Sequence, residues 1–381
     1  MSYSMLKSGT DIRGVASDVY GSEINLTDDA VYDIVSAFVC FLTDKIGVSA
    51  EEMKISVGHD SRITAQRISS AVINALVSSG VSVIDCGLSS TPAMFMTTVM
   101  LDCTAAIQIT ASHHPADRNG LKFFLSSGGL GSAEITEILS LADTNTVYLP
   151  TKKGSCEEYN FMSDYAAMLR KLICDSVGKT EEQQPLKNYH IVVDAGNGAG
   201  GFYAYEVLHK LGADISGSQF LENDGMFPNQ IPNPENEDAM KSVCEAVVKN
   251  KADLGIIFDT DVDRAGCVDN SGVEINRNRL IALASAIVCQ DNPNATIVTD
   301  SVTSDGLKAF IEDNLGGKHY RYKRGYKNVI DMAKSLCEQG INCPLAIETS
   351  GHAALRENYF LDDGAYLVTR IVIELAKGTD I

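Results

Sequence analysis

Apolar positions along the chain repeat with two periods that alternate from end to end. The first helical stretch places Val31, Ile34, Val35, Phe38, Val39, Leu42 and Ile46 at 3.6-residue spacing, with Thr27 available to cap its start. Lys54-Ile-Ser-Val57 then reads as a strand running into Gly58-His-Asp-Ser-Arg62. A helix through Ile68, Val72 and Leu76 ends at Gly80, and Val81-Ser-Val-Ile-Asp85 is the next strand. Strand, helix, strand at this length is a parallel crossover, which gathers the loops after its strands at one sheet edge. Ala105-Ala-Ile-Gln-Ile109 and Leu121-Lys-Phe-Phe-Leu125 are strands on either side of a polar loop.

The alternation breaks and restarts twice. Gly128-Gly129, Gly131 and Thr144-Asn-Thr146 mark a boundary, a helix begins near Tyr159, and Glu181-Glu-Gln-Gln-Pro185 is a surface linker. His190-Ile-Val-Val-Asp194 and Asp253-Leu-Gly-Ile-Ile-Phe258 are strands of a second section. Helices over 278–289 and about 304–314, with the strand Thr296–Asp300, open a third. The pattern predicts an α/β protein of three consecutive mixed domains, at 1–150, 151–270 and 271–381, around a central cleft.

Composition narrows the function. With 45% hydrophobic and 21% charged residues the chain is globular, and its formal charge of -19 disfavours nucleic acid and anionic membranes. No apolar run reaches spanning length and the N-terminus carries no export or transit pattern, so the expected location is cytoplasmic. The ten cysteines show no metal spacing and read as reduced thiols, with Cys40, Cys86 and Cys289 in apolar surroundings.

Four polar stretches carry candidate chemistry. Ser112 lies beside His113 and His114, with Lys122 ten residues on; cationic donors there can hold a phosphoryl group, although Pro115 and Asn119-Gly120 also suit a plain turn. Asp259, Asp261 and Asp263 follow an apolar strand at every second position. Such crowding favours a hard divalent ion, Mg²⁺ foremost, over a solvated turn. An EF-hand fits badly because Arg264 and Asn270 stand at its glycine and glutamate; an aspartyl-phosphate phosphatase with Asp259 as nucleophile fits better. Lys318 to Lys327 holds five basic residues in ten, against the charge of the whole, and suits an anion. Glu348-Thr-Ser-Gly-His352 can bind sugar hydroxyls. Gly196, Gly198 and Gly201 satisfy the dinucleotide pattern, but the three prolines of Phe227–Glu235 interrupt the unit that would complete it.

Thr110-Ala-Ser-His-His-Pro with Asn119-Gly-Leu-Lys122 resembles the phosphoserine loop of the α-D-phosphohexomutase superfamily, the phosphoglucomutases and phosphomannomutases, with His114 where the family has Asn. Gly9-Thr-Asp-Ile-Arg-Gly14 and Gly58–Arg62 are similar to its N-terminal loops, and 259–264 to its Asp-Gly-Asp-Ala-Asp-Arg metal loop. Gly325-Tyr-Lys327 is similar to its Gly-Phe-Lys stretch, and 348–352 to its Glu-x-Ser-Gly-His sugar loop. The resemblance implies an isomerase that interconverts glucose or mannose 1- and 6-phosphates through phospho-Ser112 and a hexose 1,6-bisphosphate, which also serves as activator. It implies Ser112, His113, Lys122 and Arg13 as catalytic residues. Ser112, Asp259, Asp261 and Asp263 would bind Mg²⁺, and Arg62, Arg264, Lys327, Glu348, Ser350 and His352 would bind the sugar phosphate. A monomer or homodimer is expected. The rivals are a metal-dependent phosphatase and a non-catalytic sugar-phosphate-binding protein. The family's fourth domain, which holds the remote phosphate, has no counterpart before Ile381; the terminus from Lys377 shows no cap, so a truncated form with weak turnover is expected.

Overall fold

The computed structural model describes residues 2–379, and the chain divides into two compact units, 1–162 with 224–228, and 163–223 with 229–381. Asp380 and Ile381, at the terminus discussed above, lie outside the described residues.

In the first unit an eight-stranded sheet runs in the order Lys7–Ser8, Asp11–Val15, Arg118–Leu125, Ala105–Ile109, Lys54–His59, Ser82–Leu88 and Ser155–Glu158, with Gly128–Gly129 beside Arg118–Leu125. The last four strands of that order are mutually parallel. Alternation assigns their faces: Ile55, Val57, Ile107 and Ile109 join one apolar core with Ile34 and Phe38 of helix Asp28–Ile46, Val72 of helix Ala65–Ser78 and Ile135 of helix Ser132–Asp143. The other face meets helix Thr91–Met100, where Gly58 leaves room for Met94 and the Ser56 hydroxyl meets Thr97. Phe38 and Phe123 stack at 4.4 Å; burying a side chain of this size contributes roughly 2–3 kcal/mol.

His59 and Ile109 pair at the carboxyl ends of adjacent parallel strands, so the loops after them, 60–62 and 110–112, emerge side by side. One expectation is corrected here. Asn119-Gly120 is no turn: the strand begins at Arg118, and position 120 is glycine because a Cβ would lie 2.2 Å from the Ile12 carbonyl oxygen on the neighbouring strand.

The second unit holds two sheets. One orders Glu274–Ile275, Ala265–Asp269, Leu254–Phe258 and Ile191–Asp194; the other orders Lys318–Tyr322, Thr296–Asp300, Leu345–Ile347, Ala353–Leu355 and Leu361–Asp362. A bridge between Arg264 and His352 ties their loops, and helix Gly364–Ala376 packs against both. That helix ends in a Schellman motif, correcting the uncapped terminus: Gly378 has φ 87°, its N–H donates to Leu375 O (2.9 Å), and Thr379 N–H donates to Glu374 O (3.1 Å).

The glycine pattern at 196–201 has a packing cause rather than a nucleotide one. A Cβ on Gly198 would sit 2.6 Å from the Thr260 carbonyl oxygen, and one on Gly201 2.3 Å from that of Leu221. Gly198 lets the turn press against the loop of three aspartates, and Gly201 lets it press against Leu221.

All ten cysteines are thiols; Cys86 is buried as expected, whereas Cys40 and Cys289 are half-buried. Among the described residues no helix is long and apolar enough to cross a membrane.

Candidate active site

In the first unit the serine loop is held by a buried network. Ser112 is 3% exposed and left-handed at φ 52°, a conformation that costs a non-glycine residue about 1–2 kcal/mol. Its N–H donates to Thr110 Oγ1 (2.8 Å), whose hydroxyl donates to Asp60 Oδ2 (2.6 Å). His113 is exposed, with Nδ1 3.3 Å from Ser112 Oγ, and stacks loosely on His114. Arg13 lies opposite Gly120 across the strand pair, and Lys122 follows two residues on, so both side chains leave the same sheet face. Arg13 meets Asp11 at 2.7 Å, and Lys122 is buried beside Gln108.

Arg62 does not stand where substrate binding was expected. It is 2% exposed, and its five N–H groups go inward: Nε to Asp60 (3.2 Å), Nη1 to the carbonyls of Pro115 (2.7 Å) and Arg118 (2.9 Å), Nη2 to those of His114 (2.7 Å) and Ser112. A guanidinium has five donors, so none remains for a phosphate. Arg62 holds the loop.

In the second unit the strand Leu254–Phe258 delivers Asp259, Asp261 and Asp263, which are 0%, 0% and 3% exposed, with ligand oxygens within 4.8 Å of one another. Between them Val262 is left-handed at φ 68°, an outlier for a β-branched residue and a mark of local strain. Backbone packing sustains it: Gly364 donates to the Val262 carbonyl (3.1 Å), and Gly198, Gly351 and Gly364 all lie too close to this loop for a Cβ.

Arg264, 2% exposed, turns back onto Asp259 (3.1 Å) and reaches Asn233 Oδ1 (3.2 Å). Burial alone would lower its pKa, but Asp259, Asp263 and Asp261 outweigh that and raise it. His352 donates from Nδ1 to Asp362 (2.5 Å), lies 4.0 Å from Asp263 and stacks on Tyr326 (5.1 Å between centroids). Burial pushes its pKa down, yet Asp362 and Asp263 prevail and raise it to about 9. Asp259, Asp261 and Asp263 thus form a compact, buried set of carboxylates, with Arg264 and His352 the cations beside them. An oxygen-only donor set of this kind fits one hard divalent ion.

The residues of the sugar-loop candidate lie together. Glu348 is 3% exposed; one oxygen accepts the Gly325 N–H (2.6 Å) and the other the Ser350 hydroxyl (3.4 Å), and burial raises its pKa. Gly325 precedes helix Tyr326–Glu338, so the same bond couples the sugar loop to Lys327, which is half-buried and paired with Asp331 (3.2 Å). The basic run divides. Lys318–Tyr322 is an edge strand, and its Arg321 pairs with Asp305.

Sequence reasoning missed Asp60, Asn233 and Asp362 as partners. Asp60 was findable, since an aspartate two residues before a loop arginine commonly accepts that residue's own N–H, here at 3.0 Å.

Family models described as phosphoglucomutase/phosphomannomutase α/β/α domains I, II and III match residues 5–148, 163–272 and 276–380. The chain belongs to the phosphoglucomutase/phosphomannomutase family. A phosphoglucomutase of Neisseria gonorrhoeae is 29% identical over 97% of this chain and 74% of its own length. A phosphomannomutase/phosphoglucomutase of Pseudomonas syringae pv. tomato is 31% identical over 96% and 73%. A phosphoglucomutase/phosphomannomutase family protein from Burkholderia thailandensis superposes with a TM-score of 0.83 at 27% identity, covering all of this chain and 78% of that one. Within this family's fold, the serine loop and the aspartate loop are each left-handed at a non-glycine residue, Ser112 and Val262.

Proposed function

We propose that the chain is a hexose-phosphate mutase that interconverts the 1- and 6-phosphates of glucose or mannose through phospho-Ser112. The observation that carries this reading is the buried, oxygen-only cluster of Asp259, Asp261 and Asp263 beside a sugar-type loop, in a chain that also holds one strained, buried serine at a strand end.

In the forward half-reaction the bond between Ser112 Oγ and phosphorus breaks as a sugar hydroxyl oxygen bonds to the phosphorus. The hydroxyl proton leaves to a base, and the Ser112 alkoxide takes a proton. The bisphosphate then turns over and returns its other phosphate to Ser112 by the reverse exchange. His113, 3.3 Å from Ser112 Oγ, and Lys122 are the proton carriers, and Arg13 and Arg264 steady the transferring group. Asp259, Asp261 and Asp263 would hold Mg²⁺, which would supply neutralisation of the charge on a transferring phosphoryl group. Glu348 and Ser350 accept and donate hydrogen bonds to sugar hydroxyls, with His352 and Lys327 on the substrate's anionic side. Hexose 1,6-bisphosphate is the activator because it charges Ser112. Domain boundaries near 150 and 270, a monomer or homodimer and a cytoplasmic location complete the reading.

The test is the mass of the Ser112 peptide before and after exposure to glucose 1,6-bisphosphate with Mg²⁺. One added phosphoryl group on Ser112, transferable to glucose 6-phosphate, is expected. An unmodified Ser112 with inorganic phosphate released refutes the mutase reading.

A further inference from the structure

Residues 224–228 leave the second unit after Asn223 and rejoin it at Asn229, yet they pack as part of the first. They meet it at Arg62 and its neighbours. Gly225 bridges Arg62 in parallel, and a Cβ on Gly225 would lie 2.4 Å from both the Ile63 nitrogen and the Ser61 carbonyl oxygen. Two residues on, Phe227 adopts φ 49° and sets its ring 5.3 Å from the Arg62 guanidinium carbon. The strap therefore covers Arg62, four of whose donors enter the serine loop while the fifth meets Asp60.

Arg62 and Asp60 together control both peptide groups of Ser112. The Ser112 carbonyl accepts from Nη2 of Arg62, while its N–H is fixed through Thr110 to the Asp60 oxygen that also holds Arg62 Nε. The carbonyls of His114, Pro115 and Arg118 complete a ring around the same guanidinium. A left-handed serine persists only where its surroundings over-determine it. These contacts do so.

We propose that Arg62, capped by Phe227 of the 224–228 strap, is a positioning residue that holds Ser112 in the left-handed conformation from which its hydroxyl accepts and returns a phosphoryl group. Arg62 touches no substrate in this role; it acts through the loop backbone. The phosphoryl-transfer part rests on the mutase reading above, whereas the clamp itself does not.

The variants are Arg62→Lys and Phe227→Ala in the full chain, read in two ways. Lysine offers three donors in place of five, so at least two of the five acceptors, Asp60 and the four loop carbonyls, lose theirs. Hydrogen exchange at the amides of 112–118 is expected to quicken at least tenfold in Arg62→Lys, and the rate of Ser112 phosphorylation by glucose 1,6-bisphosphate to fall roughly 100-fold, the scale of a displaced reacting group. KM for glucose 1-phosphate stays within about twofold, because Arg62 binds no substrate. Phe227→Ala leaves every Arg62 hydrogen bond possible and removes only the ring, so it serves if Arg62→Lys fails to fold; a smaller loss in kcat, roughly three- to thirtyfold, is expected. Unchanged loop exchange in both variants overturns the clamp, as does a raised KM with kcat retained in Arg62→Lys. Faster loop exchange with no phosphorylation of the wild-type protein overturns the mutase reading and leaves the clamp standing.

Discussion

Asp194 ends the strand Ile191–Asp194, is fully buried, and accepts from Gly196 N–H (2.9 Å), Gln230 Nε2 (2.8 Å) and Gln219 Nε2 (2.7 Å). Burial pushes its pKa up from 3.8 to about 6, and the three donors only partly oppose it. Because the folded value lies above the unfolded one, stability from this group is fully present below pH 3.8 and lost as pH rises through about 6. The whole effect is about 3 kcal/mol, of which about 2 kcal/mol falls between pH 4.5 and 7.5. Asp194→Asn keeps the shape and removes the ionisation, so wild type should lose about 2 kcal/mol relative to the variant across that window. Native-state hydrogen exchange of the amides in Ile191–Asp194 and Leu254–Phe258 reads this directly, and comparing the two proteins at each pH cancels the intrinsic exchange rates. The variant's relative protection should rise by roughly 25-fold from pH 4.5 to 7.5. A ratio constant with pH would refute the reasoning, showing that the donors from Gly196, Gln219 and Gln230 fully offset burial.

Three further outcomes are expected. Adding Mg²⁺ should raise the wild-type thermal midpoint by mass action, about 2.7 kcal/mol at a hundredfold excess over Kd, and Asp261→Asn should abolish that response as followed by calorimetry. Gly198→Ala must displace Thr260, whose carbonyl oxygen would lie 2.6 Å from the new Cβ; about 1–3 kcal/mol of stability and at least tenfold in Mg²⁺ affinity should be lost, while unchanged affinity by titration calorimetry would show that the turn does not support the acid loop. Asp362→Asn removes the main stabiliser of the His352 imidazolium, so the pKa should fall from about 9 toward the ordinary 6.5 in an NMR titration. In wild type that contribution is full below pH 6.5 and lost as pH rises through 9; a variant still titrating near 9 would leave Asp263 as the cause.

The sequence by itself determined the α/β alternation, because strand and helix periods are local properties of the side-chain pattern and Thr27, Ile34 and Phe38 declare their helix without help from the rest of the chain. It also marked the candidate loops: three aspartates at alternate positions are costly without a cation, and a serine among histidines and a lysine can hold a phosphoryl group. What only the tertiary structure decided was partnership between distant residues. Arg62 looked like a phosphate ligand, since sequence carries its charge but not where its five donors go; folding directs four of them to carbonyls up to 56 residues away and the fifth to Asp60. Gly198 looked like part of a nucleotide loop, and only the approach of Thr260 shows why a side chain is excluded there. Asp362 and Asn233 were invisible as partners because His352 and Arg264 reach them across strands and loops, and Phe227 because it lies far along the chain from Arg62 although both belong to the first unit. Local pattern names the groups that can do chemistry; burial and long-range hydrogen bonding decide which of them face a substrate and which hold the others in place.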